Sequence, residues 1–331
     1  MNQVYVCGTY FHIYVSILQS IYTKTPDFEN LLIINDHTPG IEKIIPALEL
    51  SGYFSSVIQV PFRKIDLLIK ESGVLSRVIG RNKKVINFVD KHSNLTKYDS
   101  FIQHAEINVF YNLGLTPAYF LIKYKNNFIR MIEDGERNYH SKVGELKAFK
   151  RKYILNTVIG DGMDAQIKEI LVQDPERLNA RVIQKGRKLE LKKMQEELTV
   201  SDREKILSIF MQGCQVSLSG GKKLILITQP FSEEKYFDEE TKIRLYNDVL
   251  TEYAAGYSIF IKPHPRELTN YNGKIKYSFT EIPGSFPLEM MNLLSDIHFD
   301  LGITLYSGAI NNITGITKRI KLGKEFLSKY L

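Results

Sequence analysis

Two short stretches hold the residue types that acid–base chemistry on an anionic substrate would use. One is "YSIFIKPHPREL", Tyr257 to Leu268, where an apolar run meets a histidine between two prolines, flanked by Lys262 and Arg266. Pro263 and Pro265 fix their own φ and push the residue before each out of the helical region, so His264 has few conformations to lose on binding. A loop that only had to turn would use Gly or Asn. A stiff surface loop with an incidental histidine is the plain alternative. The other is "FIRMIEDGERNYH", Phe128 to His140, where Glu133 and Asp134 stop on Gly135. Strand alternation sends these two carboxylates in opposite directions, so only one faces a given side. Asp-Gly is also an ordinary turn signal. A carboxylate at one strand end and a histidine at another are nevertheless the groups that a paired base and acid require.

The chain that must position them has 331 residues, which suits two domains better than one core. Apolar content is 44% and charged content 24%, ordinary for a soluble globular protein. Two cysteines, Cys7 and Cys214, cannot build a disulfide framework, so a reducing cytoplasm is the expected location. The most apolar window, "VYVCGTYFHIYVSILQSIY", is broken by Gly8, Thr9, His12, Ser16 and Gln19, which argues against a membrane span. No basic region opens the N-terminus, so no signal peptide is expected. The net charge of +7 favours anionic partners: nucleotides, acidic sugars or a lipid surface. A base-reading nucleic-acid module is not expected, because the basic residues are scattered and not clustered with aromatics.

Stepwise along the chain, short β-rich runs alternate with helical ones. "QVYVCGT", "NLLIIND", "SVIQVPF", "SFIQHAE" and "NNFIRMIEDG" read as strands, with helical periodicity over 10–21, over 41–50 and from the end of "SVIQVPF" to about Lys91. Residues 174–212 are charge-rich, with Ser201 and Glu204 placed as a capping box before Ile206, Leu207, Ile209 and Phe210. The rhythm then restarts with "KKLILITQPF", "YSIFIKPHP", "KIKYSFTEIP" and "IHFDLGITLYSG" as strands, helices over 239–254 and at "PLEMMNLL", and a basic helical tail carrying Lys318, Arg319, Lys321, Lys324 and Lys329. Buried runs bounded by turns and separated by helices predict parallel sheets covered on both faces. The expected fold is α/β, two doubly wound Rossmann-like domains with a cleft between them, over 1–155 and 213–331, joined by a helical linker over 156–212.

In such sheets ligands sit at the carboxyl ends of the strands. The C-terminal half places Thr228-Gln229, Lys262-Pro263-His264-Pro265, Glu281 to Gly284, and Thr304 to Gly308 at those ends. Hydroxyls, a histidine and cations converging there suit a phosphate, and Ser307-Gly308 is expected to open a helix whose N-terminus attracts anions. Polar residues at strand ends are also what any α/β sheet shows. No metal site is expected: "DGMD", Asp161 to Asp164, has the wrong spacing, and the two cysteines and seven histidines form no ligand pattern.

Glu133-Asp134-Gly135, then His264-Pro265, then Ser307 reproduce in order the D/E-D/E-G, HP and serine motifs of bacterial sialyltransferases of the GT-B type, with about 130 residues between the first two. "ILITQPF" and "SFPLEMM" resemble segments of the lipooligosaccharide-type sialyltransferases of glycosyltransferase family 52. The likeness covers most of the chain in architecture and about a tenth of it in letters. It departs at Tyr306-Ser307-Gly308, where two adjacent hydroxyl residues are usual; Thr304 stands ready to replace the missing contact. The resemblance implies an inverting, metal-independent transfer of sialic acid from CMP-sialic acid, with no cofactor, to a galactose-terminated glycan of a capsule or lipooligosaccharide. It makes 1–155 the acceptor side and 213–331 the CMP-sugar side. It assigns Glu133 as base, with Asp134 as runner-up, and His264 as donor to the departing phosphate. Lys262, Thr304, Ser307 and Gly308 would steady that phosphate together with Thr228, Gln229 and Pro265. Glu289 would take the ribose hydroxyls, and Gly8, Thr9, His12 and Arg266 would line the donor or acceptor side. A homodimer and peripheral contact with the inner face of the membrane are compatible with it.

Three other readings use the same residues. A CDP-glycerol or CDP-ribitol phosphotransferase shares the His-Pro element and the CMP leaving group. Another GT-B sugar transferase or a nucleotide-sugar epimerase shares the frame. A basic nucleotide-binding protein without turnover is the non-enzyme alternative.

Overall fold

The computed structural model describes residues 1–25, 27–71, 81–110, 114–135, 138–140, 143–154, 157–211, 221–294 and 298–330. The chain divides into two units, Met1–Leu198 and Thr199–Leu331. Each is built on a parallel sheet.

The first unit runs β1 (Gln3–Cys7), α1 (Tyr10–Tyr22), β2 (Asn30–Asn35), α2 (Ile45–Ser51), β3 (Ser56–Val60), α3 (Phe62–Glu71), α4 (Arg81–His92), α5 (Asp99–Gln103), β4 (Glu106–Phe110), α6 (Leu115–Lys123), β5 (Ile129–Ile132), α7 (Glu145–Phe149), β6 (Ile167–Val172), β7 (Gly186–Lys188) and α8 (Leu191–Glu196). Its strands lie in the order β3-β2-β1-β4-β5-β6-β7, and every pairing is parallel. Val6 of β1 sits opposite Ile33 on one side and Val109 on the other. Leu31, Leu32, Ile33 and Ile34 are all buried, as a strand covered on both faces requires. Each such side chain contributes about 1.5–3 kcal/mol on leaving water. Strand order reverses between β1 and β4, which makes their carboxyl ends the switch point where ligands of open α/β sheets bind.

The second unit runs α9 (Val200–Met211), β8 (Lys222–Ile227), α10 (Glu239–Tyr253), β9 (Tyr257–Lys262), β10 (Phe279–Glu281), β11 (Phe299–Thr304), β12 (Ile316–Lys321) and α11 (Gly323–Leu327). Its sheet has the order β10-β9-β8-β11-β12, again all parallel, with its reversal between β8 and β11. The α/β class with two parallel, doubly wound sheets agrees with the reading of the sequence.

Several elements differ from that reading. The strand expected at "SFIQHAE" is α5, and the strand begins at Glu106, where apolar alternation through Ile107, Val109 and Phe110 sets in. The stretch expected as a helical linker carries β6 and β7, which extend the first sheet, while the division falls at Leu198/Thr199. The expected boundaries at 155/156 and 212/213 lie outside the described residues, as does Cys214. Lys318, Arg319 and Lys321 belong to strand β12, so the basic tail is mostly not helical; only the short α11 follows it. The helix expected at "PLEMMNLL" is a 3-10 helix over Leu288–Leu293, and Ser307-Gly308 opens only a five-residue 3-10 turn, too short to sum a useful dipole. Among the described residues no helix is long and apolar enough to cross a membrane.

The capping box of α9 also lies two residues earlier than expected. Thr199 Oγ1 accepts the Asp202 N–H at 3.0 Å and donates to the Asp202 carboxylate at 2.6 Å. Thr199→Ala is therefore expected to cost about 1 kcal/mol, and Ser201→Ala to change stability by less than about 0.5 kcal/mol. Paired denaturant melts check this.

Candidate functional site

In the first unit a pocket of about 360 Å³ opens at the switch point, lined by Gly8, Thr9 and His12 after β1, Asn35 at the end of β2, Phe110 of β4 and Asp134 after β5, among others. Gly8 approaches Asn35 closely: a Cβ would stand 2.9 Å from its side-chain amide, which would have to move aside. Thr9 caps α1, its hydroxyl accepting the His12 N–H at 3.2 Å. His12 stacks on Phe110 with ring centroids 4.2 Å apart and planes within 8°. Its Nδ1 accepts the Gly8 N–H at 3.1 Å. That bond makes Nδ1 the unprotonated nitrogen of the neutral ring, so Nε2 carries the hydrogen. Nε2 then donates to Asp134 Oδ1 at 2.6 Å. The Asp134 N–H is itself held by Asn138 Oδ1 at 2.7 Å.

Glu133, the first carboxylate of the motif, points the other way and is only 4% exposed. Its Oε2 accepts the Gln173 N–H at 2.6 Å and the Tyr139 hydroxyl at 2.9 Å, and its Oε1 accepts the Gln173 side-chain amide at 3.1 Å. Alternation across the strand end separates the two carboxylates as expected. The one lining the pocket is Asp134, the runner-up for the base, while the oxygens of Glu133 are engaged in tying β5 to the end of β6. Burial of its neighbour Tyr139 pushes that phenol well above its usual range, leaving it a firm donor.

In the second unit His264 follows β9 and is half-buried. Its Nδ1 accepts the Arg266 N–H at 3.1 Å, which again leaves Nε2 as the ring's N–H donor. Burial, reinforced by Arg266 and Lys262, pushes the imidazole down to about 4. The loop is fastened by Glu267, a carboxylate with no side-chain exposure. It accepts the His264 N–H at 3.0 Å, the Thr228 hydroxyl at 2.8 Å and the Tyr271 hydroxyl, and it lies 3.7 Å from the buried ammonium of Lys242. Burial pushes the Glu267 carboxyl up, and these partners oppose the shift. Lys242 also bonds Glu233 at 2.9 Å. Burial alone would raise the Glu233 carboxyl, but Lys242 and the Leu268 N–H hold it at about 2.

Three expected phosphate contacts are occupied in shaping this strand-end edge. Lys262 is buried with Nζ on the carbonyls of Pro263 and Gly284, at 2.7 and 3.3 Å, and desolvation pushes it down to about 7. Thr228 is committed to Glu267, and Thr304 is buried with its hydroxyl accepting the Ser307 N–H at 3.3 Å. Gln229 bridges the switch point, its Oε1 accepting the Tyr306 N–H at 3.0 Å. Arg266 pairs with Glu234 at 2.6 Å. Ser307, Pro265 and Glu289 are half-buried and Gly308 is exposed. Asn35, Phe110, Glu267 and the Glu233–Lys242 pair were not singled out from the sequence. "KPHPRE" put Glu267 in plain view, but it read as one more charge in a polar loop.

Among the described residues no three His, Cys, Asp or Glu are grouped to hold a metal ion. Within "DGMD", Asp161 accepts the Val143 N–H and Asp164 those of Ile159 and Gly160.

Two parallel doubly wound units, each with polar groups gathered at its strand-order reversal, define an α/β protein of the GT-B class. The profile of glycosyltransferase family 52 matches residues 53–322, and the chain belongs to that family. An uncharacterized protein of Haemophilus influenzae is 31% identical over 182 residues, a match covering 54% of this chain and 57% of that relative; the chain thus matches little more than half of that relative's length. Among solved structures, the sialyltransferase from Photobacterium damsela is similar with a TM-score of 0.53 at 12% identity, covering 96% of this chain and 73% of that one. A UDP-GlcNAc 2-epimerase from Neisseria meningitidis gives a TM-score of 0.48 at 12% identity, covering 94% and 79%. At such identities the likeness concerns the fold alone.

Two stability effects follow. Glu133→Gln keeps the shape but turns one oxygen into a donor facing N–H and O–H groups, so it should destabilise the first unit by about 1–3 kcal/mol. A melt unchanged from the parent would contradict this. His264 has a folded value of about 4 against an ordinary 6.5, so between those values the unfolded chain binds more protons and stability rises with pH. Stability is lost as pH falls through that window, by at most about 3 kcal/mol. His264→Asn should flatten this part of the pH–stability curve, and an unchanged slope would contradict the assignment.

Proposed function

We propose that the protein transfers sialic acid from CMP-sialic acid to a sugar hydroxyl, with inversion and without a metal. The observation that carries this reading is the His12–Asp134 pair in the switch-point pocket, 2.6 Å apart with the tautomer set by Gly8, in a chain of glycosyltransferase family 52. The acceptor oxygen attacks the anomeric carbon while its proton passes to the Asp134 carboxylate. The bond from that carbon to the CMP phosphate breaks, and its electron pair leaves on the phosphate oxygen. His12 is a positioning residue: it aims the Asp134 carboxylate by donating from Nε2. His264 serves the leaving group. Neutral in the empty protein, it offers an Nε2–H hydrogen bond, and an arriving phosphate raises its proton affinity so that the bond becomes charge-assisted. Glu267 sets the pose of His264 by holding its backbone N–H. Ser307 and Gly308 complete the phosphate contacts in this reading, and Glu289 takes the ribose. The acceptor proposed is a terminal galactose of a surface glycan.

The test is transfer from CMP-sialic acid to a panel of galactosides in excess EDTA. The folded parent should turn over, and Asp134→Asn should lower kcat by about 10²-fold or more with CMP binding preserved. Dependence on added Mg²⁺, or an Asp134→Asn variant near the parent rate, would contradict the mechanism. Turnover of CDP-glycerol instead would move the assignment to a phosphotransferase. Tight CMP binding with no turnover would make it a binding protein.

A further inference from the structure

Among the described residues, one buried side-chain nitrogen or oxygen lacks a hydrogen-bond partner: Nδ2 of Asn138. It belongs to the loop that leaves β5, four positions after Asp134. Asn138 Oδ1 accepts the Asp134 N–H at 2.7 Å, and the Asn138 N–H donates to the Gly135 carbonyl at 3.1 Å. Gly135 turns the chain with a φ of 92°, a left-handed value that a residue with a Cβ resists. The next residue, Tyr139, donates its hydroxyl to the buried Glu133 at 2.9 Å. The chain just beyond Asn138 is thus anchored to the end of β5.

Which way round the Asn138 amide lies is decided by chemistry. The Asp134 N–H needs an acceptor, and the oxygen is the only acceptor of an asparagine side chain. That orientation strands the NH₂ group, a donor taken out of water with nothing in return. Aspartate has the same shape, accepts the same N–H and strands no donor. It would also set a second negative charge beside Asp134, where a like charge alters proton affinity. We infer that Asn138 is a positioning residue: an uncharged acceptor that pins the backbone of Asp134, with the stranded Nδ2 as the cost of keeping charge out of this loop. The inference rests on the proposed reading of Asp134 as base. Among the described residues, the other titratable or charged groups at the pocket are His12 of α1, which bonds the Asp134 carboxylate, His37 after β2, and Arg63 and Asp66 of α3. Glu133 is turned away onto Gln173 and Tyr139.

Two measurements test this, and the first needs no turnover. Asn138→Ala should speed hydrogen exchange at the Asp134 amide by about tenfold or more, whereas Asn138→Asp, which keeps the acceptor, should leave it protected. In transfer from CMP-sialic acid to a galactoside, folded Asn138→Ala should lose about tenfold or more in kcat, with the donor KM within about twofold of the parent. Asn138→Asp should recover most of that kcat at alkaline pH. The acidic limb of its pH–kcat profile should move up by about half a pH unit or more, because the added carboxylate raises the proton affinity of the base. A merely structural asparagine would shift the melting curve and leave kcat per folded molecule and the limb in place. That result, unchanged exchange in Asn138→Ala, or a defect confined to KM would overturn the inference. An inactive parent whose Asp134 amide still responds as expected would instead defeat the transfer reading, and with it the catalytic role built on this hold.

Discussion

A buried glutamate must find hydrogen-bond donors or lose its charge, and each unit uses that constraint to fix a loop at the carboxyl edge of its sheet. Glu133 collects the Gln173 backbone and side-chain N–H groups and the Tyr139 hydroxyl. Glu267 collects the His264 N–H with the hydroxyls of Thr228 and Tyr271. An unsatisfied carboxylate in such a place would cost several kcal/mol, so the loop cannot drift without losing these bonds. In the first unit the anchored residue is the immediate neighbour of Asp134. In the second it holds the backbone of His264 itself. Each half-buried group thus sits on backbone that a carboxylate holds in place.

The tautomers show how far this reaches. Gly8 N–H on His12 Nδ1 and Arg266 N–H on His264 Nδ1 are both backbone donors, so in each neutral ring the hydrogen is left on Nε2. Parallel strand pairing supplies the rest. It brings all carboxyl ends of a sheet to one edge, and the reversal of strand order opens a gap there that side chains fill or leave vacant. At β1/β4 the gap is the pocket. At β8/β11 it is bridged by Gln229 bonding the Tyr306 N–H.

Much of this was legible in the sequence. Continuous apolar runs such as "NLLIIN" and "KKLILI" could only be strands covered on both faces, and their alternation with helical periods implied doubly wound sheets. The motif residues Asp134 and His264 do occupy strand-end loops, and His12 stands in the first turn of α1. What could not be read were the long-range partners. Nothing local distinguishes Glu133 from Asp134; the donors that take up Glu133 come from Gln173, forty positions later. Lys262, Thr228 and Thr304 read as phosphate ligands because their types suit a phosphate, yet burial turned them inward. "RKLELKKMQEEL" hid its place because charge-rich helices look alike whether they bridge domains or, as α8 does here, pack on α1 through Gln195 and Tyr14.

The central claim is that Asp134, and not its buried neighbour, meets the acceptor. A crystal structure of the protein with an unreactive CMP-sialic acid analogue and a galactoside tests it most directly. The account predicts the reacting hydroxyl within about 2.6–3.2 Å of an Asp134 carboxylate oxygen, with His12 Nε2 still bonded to that side chain and Glu133 still on Gln173 and Tyr139. An acceptor hydroxyl seated on Glu133, or a ternary complex in which Asp134 touches neither sugar, would contradict it.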